Sequence, residues 1–385
     1  MSNTKREDPR IDEYKYFKQL MEHLNHDVDV IFNEKEFIFP KQLEIHLPSD
    51  HLNPCPLRCS YCAGALYEKP LGRWEMKALH LLDAIGGRVP QHIYGGAYTE
   101  PITNPYLTTF IAKTREYGNS FGIHTSGFFL KELQATTKFL NEINTLADND
   151  RKSYLQVSLD AGVSWSWAKV KRTNKKHVFW EIIDSLREAV EIRERRGGKG
   201  HSIRLGYLIE EETASPEQFA IISNLAKEIG VDSLRFSIPF AHYNQSFSKV
   251  REYKNKVEIP QEKIYEKWLE PLVSKSKEEK PYIFWNYPWF TDIDRFTFNQ
   301  CIYSYFQITL GADGYYYPCS TVATPTASHL RLGLISSEID DFFEIVKKAR
   351  NPEFDPRSMC FDKGLRCNRM GLECNTIYSS LKNET

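Results

Sequence analysis

Short apolar runs, most of them alternating with polar residues, recur between residues 42 and 240. They predict six β-strands, at 42–49, 92–97, 121–127, 154–160, 203–210 and 234–240. Amphipathic helical patterns separate these runs; in 177–192, for example, apolar residues recur at the three-to-four spacing of one helix face. Strands that alternate with helices form βαβ units, so the pattern predicts an α/β protein with a parallel sheet. The length and order of the units favour a partial or full barrel over an open sheet.

One of these helices has clear signals at both ends. Ser215 is suited to be its N-cap, Pro216 follows at the first helical position, and Gly230 supplies the stop. We therefore predict a helix between Ser215 and Gly230.

Polar or glycine-containing segments follow the first four predicted strands. They read HLNPCPLRCSYC, GGAYTEP, TSG and SLD in chain order. In a βα barrel the functional groups lie at the C-terminal ends of the strands. These segments therefore predict one site at one end of the barrel.

Composition narrows the class of protein. The 385 residues carry a formal net charge of −1, which disfavours nucleic acid as a partner. No apolar run approaches the roughly 18–20 residues of a membrane span. The polar start MSNTKREDPR lacks the apolar segment of a secretory signal, so we expect a cytoplasmic protein. Disulfides are rare in that compartment, which favours metal-binding, catalytic or buried roles for cysteine.

The cysteines fall into two groups, which indicates two ligand sites. Three lie early in the chain and five lie late, with none between residues 63 and 300: Cys55, Cys59 and Cys62, then Cys301, Cys319, Cys360, Cys367 and Cys374. Structural zinc is almost always four-coordinate, and no further Cys within twenty residues downstream completes the early group. An iron–sulfur cluster on three cysteines leaves one iron open to bind something else. Zinc and a fortuitous grouping remain alternatives at this point.

The early group has a characteristic spacing. It reads C-x3-C-x-φ-C, with the aromatic Tyr61 at φ, and resembles the signature of the radical SAM superfamily. Further segments continue the resemblance from residue 42 to about 240: YGGAYTEPITNP, IHTSGFFL, VSLDAG and EIGVDSLRFS. One departure is that Ala97, Tyr98 and Thr99 separate Gly96 from Glu100, whereas the family has an unbroken Gly-Gly-Glu-Pro.

The resemblance implies a fold and cofactors. It implies a partial (β/α)6 TIM-like barrel in which Cys55, Cys59 and Cys62 hold a 4Fe–4S cluster that binds S-adenosylmethionine. The residues it implies at the cofactor are Tyr61, Gly95, Gly96, Glu100, Ser126, Ser158, Asp160 and Arg172. For Gly95 and Gly96 a plain tight turn is the alternative, and for Ser158 and Asp160 a capped strand end.

The resemblance also implies an activity and partners. Reductive cleavage of S-adenosylmethionine would give a 5′-deoxyadenosyl radical that abstracts a hydrogen atom from an unactivated C–H bond. This makes the chain a radical SAM oxidoreductase or tailoring enzyme with a low-potential electron donor of the flavodoxin or ferredoxin type. The substrate is either a small metabolite, such as an amino sugar or nucleoside-like alcohol, or a ribosomally made peptide. Only 54 residues precede Cys55, which is short for a leader-peptide-binding domain and favours the metabolite. A non-catalytic zinc or iron–sulfur protein is the remote alternative.

The late cysteines resemble a second family feature. Cys301, Gly314 and Cys319 form C-x12-G-x4-C around the hairpin signal GADGYYYPC, as in SPASM and twitch domains with auxiliary 4Fe–4S clusters. The later spacing of that motif is not kept, because Cys360, Cys367 and Cys374 are separated by six residues each. The resemblance favours one auxiliary 4Fe–4S cluster, with one of these three cysteines spare. Zinc or a remnant without a cluster are the alternatives.

These patterns predict four segments. They are an N-terminal helix or hairpin extension at 1–41, the radical SAM core at 42–250, a helical bridge at 251–300, and the β-hairpin and helix auxiliary domain at 301–385. Within the core, His124, Arg235, Ser237 and His242 face the predicted cavity. Such residues are more often hydrogen-bonded core or rim groups than catalytic ones.

Overall fold

The strands form one sheet. The computed structural model describes residues 15–27, 29–32, 36–48, 55, 57–59, 61–62, 73–96, 99–128, 130–131, 136–147, 152–210, 213–237, 265–276, 280–286, 298, 300–351, 353–361, 367 and 369–384. Their ten strands are β1 Gln42–Ile45, β2 Gln91–Tyr94, β3 Ser120–Thr125, β4 Tyr154–Ser158, β5 Ser202–Leu208, β6 Ser233–Ser237, β7 Tyr282–Asn286, β8 Gln307–Leu310, β9 Tyr315–Tyr317 and β10 Gly333–Leu334. The order across the sheet is β10-β9-β8-β1-β2-β3-β4-β5-β6-β7.

Strands β1 to β8 are parallel, and helices connect them on one side. The α-helices are α1 Lys15–His23, α2 Asp29–Phe32, α3 Glu75–Ile85, α4 Leu107–Glu116, α5 Thr136–Leu146, α6 Ser164–Lys171, α7 Val178–Arg195, α8 Pro216–Ile229, α9 Glu270–Lys275, α10 Tyr303–Phe306, α11 Ile339–Ala349 and α12 Arg369–Glu384. Each of the strands β1 to β6 precedes at least one helix, so the predicted partial (β/α)6 barrel is confirmed. The ends of the sheet, at β10 and β7, are not joined by pairing between described strands.

Local sequence accounts for the ends of α8. Ser215 is its N-cap, and its side chain accepts a hydrogen bond from the Gln218 N–H at 3.2 Å. Pro216 begins the helix, and Gly230 ends it in the left-handed conformation with φ of 84°. The predicted helix is confirmed at both ends.

The two faces of the barrel strands differ in chemistry. Side chains alternate along a strand, so one face of β1 places Leu43, Ile45 and Leu47 in the apolar core. The other face presents Glu44 and His46, which are also buried. The neighbouring strands continue this division, so the barrel has an apolar outer layer under the helices and a polar inner face.

The C-terminal segment joins the same sheet. Strand β8 pairs in parallel with β1, and β9 turns back antiparallel to β8, as the hairpin signal at 311–319 predicted. The N-terminal helix α1 packs nearby, since Leu20 and Leu24 share an apolar cluster with Tyr303 and Tyr378. The predicted domain boundaries stay a prediction.

The helical prediction for 251–300 is wrong in part. A π-helix at Tyr265–Leu269 and α9 lie in this range, but residues Tyr282–Asn286 form β7, which pairs in parallel with β6. The run Tyr-Ile-Phe-Trp is rich in residues that favour strands, and that signal identifies it. His242, Ala97 and Tyr98 lie outside the described residues. None of the described helices has the length and apolarity needed to cross a membrane.

A glycine on β3 allows an aromatic side chain to cover the barrel interior, and this arrangement gives a prediction. A Cβ on Gly122 would collide with the ring of Tyr154, whereas a Cβ on Gly206 would have its nearest neighbour at 3.5 Å. Gly122→Ala should lower the free energy of unfolding by about 1–3 kcal/mol because of overpacking. Gly206→Ala, a matched inner-face variant, should change it much less. Denaturant unfolding of both variants measures this, and equal losses would contradict the described packing.

Candidate functional site

The early cysteines lie beyond the C-terminal end of β1. Cys59 is buried, and Cys55 and Cys62 are half-buried. Arg58 holds the loop, since its guanidinium donates to the carbonyl of Cys55 at 2.6 Å and to that of Leu57 at 3.0 Å. Burial raises the pKa of the Cys55 thiol, and the charges of Glu100, Cys59 and Cys62 raise it further. The three thiols are therefore close enough to interact, and their ionised forms need a positive partner.

The donor set determines what this group could hold. All eight cysteines of the chain are free thiols. In the described part of the chain, no group of three or more His, Cys, Asp or Glu side chains is arranged to hold a metal ion. A single ion gathers its ligands around one point, whereas in a 4Fe–4S cluster each cysteine binds its own iron atom. Three soft sulfur donors in one loop fit such a cluster by their chemistry.

A buried ion pair lies beside the cysteines. Lys171 and Asp160, with side chains 1% and 0% exposed, form a salt bridge. Tyr61 donates its hydroxyl hydrogen to Asp160 and accepts a hydrogen bond from Lys171 at 2.9 Å. Burial lowers the pKa of Lys171, but the Asp160 carboxylate and the Cys59 thiol more than offset this, so the pKa is raised. This triad ties the cysteine loop to the end of β4 and to α6.

The contacts of Asp160 are all internal to the protein. Its second carboxylate oxygen accepts a hydrogen bond from the Leu208 N–H at 2.8 Å, and its backbone has φ of 62°. Arg172, the other predicted cofactor residue here, is exposed and forms the left-handed C-cap of α6. Of the two neighbouring residues Lys171 and Arg172, it is Lys171 whose side chain points into the protein. The cofactor roles of Asp160, Ser158 and Arg172 stay predictions.

Glu100 joins the ends of β2 and β3. Its carboxylate accepts hydrogen bonds from the Thr125 hydroxyl at 2.5 Å and from the Ser126 N–H and hydroxyl at 2.9 and 2.5 Å. Burial raises the pKa of Glu100, although these hydrogen bonds act in the opposite direction. The Ile102 N–H is a fourth hydrogen-bond donor to this carboxylate, so each of its four acceptor positions has a donor. Although three residues separate Gly96 from Glu100, the Glu100 carboxylate therefore still lies at the ends of β2 and β3.

The neighbouring glycines are required by packing. A Cβ on Gly95 would lie 2.7 Å from the Cβ of His124, and a Cβ on Gly96 would lie 2.7 Å from the ring of His46. Only glycine allows the backbone to approach both histidines so closely.

The inner face of the barrel strands, next to Gly95 and Gly96, carries both acidic and basic side chains. His46 and Glu44 are hydrogen-bonded at 2.8 Å, and Gln307 donates to the other Glu44 oxygen at 2.5 Å. His124 is 3.0 Å from the Tyr154 hydroxyl, and burial lowers the pKa of His124 to about 4, so it is neutral at pH 7. This face can accommodate a polar substrate.

Two cations lie on the same face. The guanidinium of Arg204 stacks 4.0 Å from the centroid of the Tyr154 ring. Arg235 lies on the neighbouring strand β6. Burial is the largest effect on the pKa of Arg204 and of His124, and the positive charge of Arg235 lowers both pKa values further. For His124, the charge of Glu44 acts in the opposite direction.

The five late cysteines lie close to one another at a second site. Burial raises the pKa of Cys367 well above its ordinary value, and Cys301, Cys319, Cys360 and Cys374 raise it further. Cys374 differs from the others because it is fully buried in the apolar cluster that contains Leu20 and Tyr303. Cys301 and Cys319 are half-buried at the border of the same cluster, and Cys319 and Cys360 border a second apolar cluster.

The pattern of the sequence did not identify Lys171, Arg204, Glu44 or His46. Lys171 is one residue from the predicted Arg172, and the left-handed turn at Arg172 decides which of the two points inward. Alternation along β1 and β5 was a usable signal for Glu44, His46 and Arg204, since charged residues stand there between apolar ones.

Comparison with known proteins shows the fold. No protein-family model and no curated protein matches the sequence. SuiB from Streptococcus suis, bound to precursor peptide SuiA, matches with a TM-score of 0.51 and 14% identity over 84% of this chain and 69% of SuiB. Histidine-tagged anSMEcpe with bound AdoMet matches with a TM-score of 0.52 and 16% identity over 89% of this chain and 91% of anSMEcpe. SuiB and anSMEcpe are radical SAM enzymes with SPASM or twitch auxiliary domains.

The chain shares its fold with these radical SAM enzymes. Native anSMEcpe with bound AdoMet and Cp18Cys peptide also matches, with a TM-score of 0.51 and 16% identity over 89% of this chain and 94% of anSMEcpe. In the radical SAM fold of this chain, the early cysteine loop follows β1 and the late cysteines lie on the segment that β8 begins.

The Asp160–Lys171 pair gives a stability prediction. Lys171→Met should lower the free energy of unfolding by about 3–5 kcal/mol, because it leaves a buried carboxylate without its cation. The double variant Asp160→Asn with Lys171→Met should regain part of this loss. Lys176→Met removes an exposed lysine and is the control. Denaturant unfolding compares the four proteins, and a Lys171→Met effect no larger than the control would contradict the buried pair.

Proposed function

We propose that the chain is a radical SAM enzyme. The carrying observation is the C-x3-C-x-φ-C loop of Cys55, Cys59 and Cys62, which follows the first strand of a radical SAM fold. A 4Fe–4S cluster held by these three cysteines, once reduced by an external electron donor, would supply the electron for reductive cleavage of S-adenosylmethionine and so for hydrogen abstraction from a C–H bond of the substrate.

The chain's own residues hold and orient the cofactors. Cys55, Cys59 and Cys62 would hold the cluster through three of its irons, which would leave one iron available to S-adenosylmethionine. Glu100, fixed by Thr125, Ser126 and the Ile102 N–H, holds a negative charge at the ends of β2 and β3, where it can attract the methionine ammonium group. Because Glu100 is buried, such an ammonium group is favoured as its partner.

The positive charge of Lys171 acts on the cysteine loop. It lowers the pKa of the Cys59 thiol against the larger effect of burial, and so favours the thiolate that binds iron. Tyr61 is held by the same triad, so its ring is fixed at the edge of the cofactor position. In this role Lys171 and Asp160 position the loop and do not contact the substrate.

The late cysteines form the proposed site of one auxiliary 4Fe–4S cluster. We assign Cys301, Cys319, Cys360 and Cys367 as its ligands, because Cys374 lies within an apolar cluster of helices α1, α10 and α12. Cys374 is then the spare thiol, with a packing role.

We infer a peptide substrate in preference to a small metabolite. SuiB was solved with a precursor peptide and anSMEcpe with a Cp18Cys peptide, and both share the fold of this chain. Among the described strands, β10 and β7 end the sheet without pairing to each other, and we infer that an extended substrate segment approaches the inner face there.

The proposed activity has a direct test. Anaerobically reconstituted protein should bind about eight irons, from two 4Fe–4S clusters. Reduced protein should form 5′-deoxyadenosine from S-adenosylmethionine, and Cys55→Ala, Cys59→Ala and Cys62→Ala should each abolish this. Iron analysis and chromatography measure the two quantities. Stoichiometric zinc without iron, or wild-type turnover by Cys59→Ala, would exclude the proposal.

The ligand assignment is tested by iron retention. Cys367→Ala should lose the auxiliary cluster, about four irons, because a cubane needs four ligands. Cys374→Ala should keep the full iron content, with a loss of unfolding free energy of about 1 kcal/mol from the buried cavity. If Cys374→Ala loses the auxiliary iron and Cys367→Ala keeps it, the two roles are reversed.

A further inference from the structure

Two arginines occupy adjacent strands on the inner face of the barrel. In the parallel pairing of β5 with β6, Arg204 is opposite Ser233, and Arg235 is opposite Gly206. Alternation therefore places both side chains on the same face, two residues apart along the strands. The pKa of Arg204 is lowered first by burial and also by the charge of Arg235, which indicates that the two guanidinium groups are neighbours.

No described acid forms a salt bridge with either arginine, although the charge of Asp232 raises the pKa of Arg204 against the larger effect of burial. Asp232, the nearest acid in the sequence, pairs with Arg193, binds Lys280 at 3.0 Å and accepts from the Ile203 N–H at 2.8 Å. Glu44, across the barrel, is bonded to His46 and Gln307, as described above. Among the described residues, the buried Nε of Arg235 has no hydrogen-bond partner.

A buried hydroxyl lies beside the arginines. Ser237 is two residues beyond Arg235 on the same face and is only 7% exposed. Its Oγ also has no hydrogen-bond partner in the described part of the chain. Gly206 lies between these side chains, and a Cβ built on it would be in ordinary contact with Gln156 Nε2, at 3.5 Å, so glycine leaves a gap of about one methyl group here.

The buried Arg235 Nε and Ser237 hydroxyl have no hydrogen-bond partner among the described residues, which is costly, and an anion between the two half-buried guanidinium groups satisfies both. Guanidinium groups pair with carboxylates through two parallel hydrogen bonds. We propose that Arg204, Arg235 and Ser237, on the strands that include Gly206, form a subsite for a carboxylate group of the substrate. The assignment of this carboxylate to the substrate depends on the proposed function, whereas anion binding itself needs no iron.

The test uses acetate as the probe and the full-length, anaerobically purified protein. The melting temperature of the wild type should rise saturably with sodium acetate, relative to sodium chloride at equal ionic strength, because a ligand of the folded state stabilises it. Arg235→Gln should abolish this response. In chloride alone, Arg235→Gln should melt no lower than the wild type, since the Arg235 Nε has no partner to lose. Arg195→Gln removes an exposed arginine and should keep the full response.

Ser237→Ala is the second variant. It should fold like the wild type and respond more weakly to acetate, because it removes one donor and leaves both cations. The absence of an acetate response in the wild type, or a large fall in the melting temperature of Arg235→Gln in chloride, would overturn the proposal. The first result means that no anion binds, and the second that Arg235 has a structural role.

Two further melting experiments identify the molecule that provides the carboxylate. Saturating S-adenosylmethionine should leave the acetate response intact; if it removes the response, the subsite holds the cofactor's carboxylate and the proposal is wrong. The capped peptide acetyl-Gly-Glu-Gly-amide should stabilise the protein more than its Gln analogue, which supports a peptide carboxylate. A response to acetate without any difference between the peptides supports a small acid. A protein that binds acetate but takes up no iron contradicts the proposed function and leaves the subsite standing.

Discussion

The backbone hydrogen bonds on both edges of β1 are the constraint on which the rest of the structure depends. One edge pairs with β2 and the other with β8, both in parallel. The loop of Cys55, Cys59 and Cys62 leaves from the C-terminal end of β1, so its position is set by two neighbours. The same pairing joins the segment of the late cysteines to the barrel. Glu44 on β1 and Gln307 on β8 add a buried hydrogen bond across this junction.

Charged side chains inside the barrel are arranged in two ways. Near the cysteines, Asp160 and Lys171 neutralise each other, and Tyr61 and the Leu208 N–H satisfy the remaining oxygen positions. A fully satisfied polar network of this kind is rigid, because each member that moves leaves another unsatisfied. On β5 and β6 the charges of Arg204 and Arg235 have no such compensation within the described chain. The first arrangement holds a loop in place, and the second is suited to receive a ligand.

Much of the fold followed from local patterns. Strands β1 to β6 and helix α8 were predicted because alternation, capping by Ser215 and the stop at Gly230 are properties of short segments. Strand β7 was missed although its Tyr-Ile-Phe-Trp run has the composition of a strand, because the whole range 251–300 was assigned to a helical bridge. The pairing of β8 with β1 could not be predicted, since it joins residues more than 260 positions apart and no local signal encodes that partner.

The sequence by itself determined the order of the βα units, the two cysteine groups and the aromatic position in the early loop, because these are matters of spacing and composition. The tertiary structure alone decided which polar residues meet. It turned Lys171 inward and left Arg172 exposed, gave the carboxylate of Asp160 to Lys171, and placed Arg204 beside Arg235. The physical reason is that hydrogen bonds and ion pairs depend on distance and burial, which arise only when strand register and helix packing bring distant residues to one face.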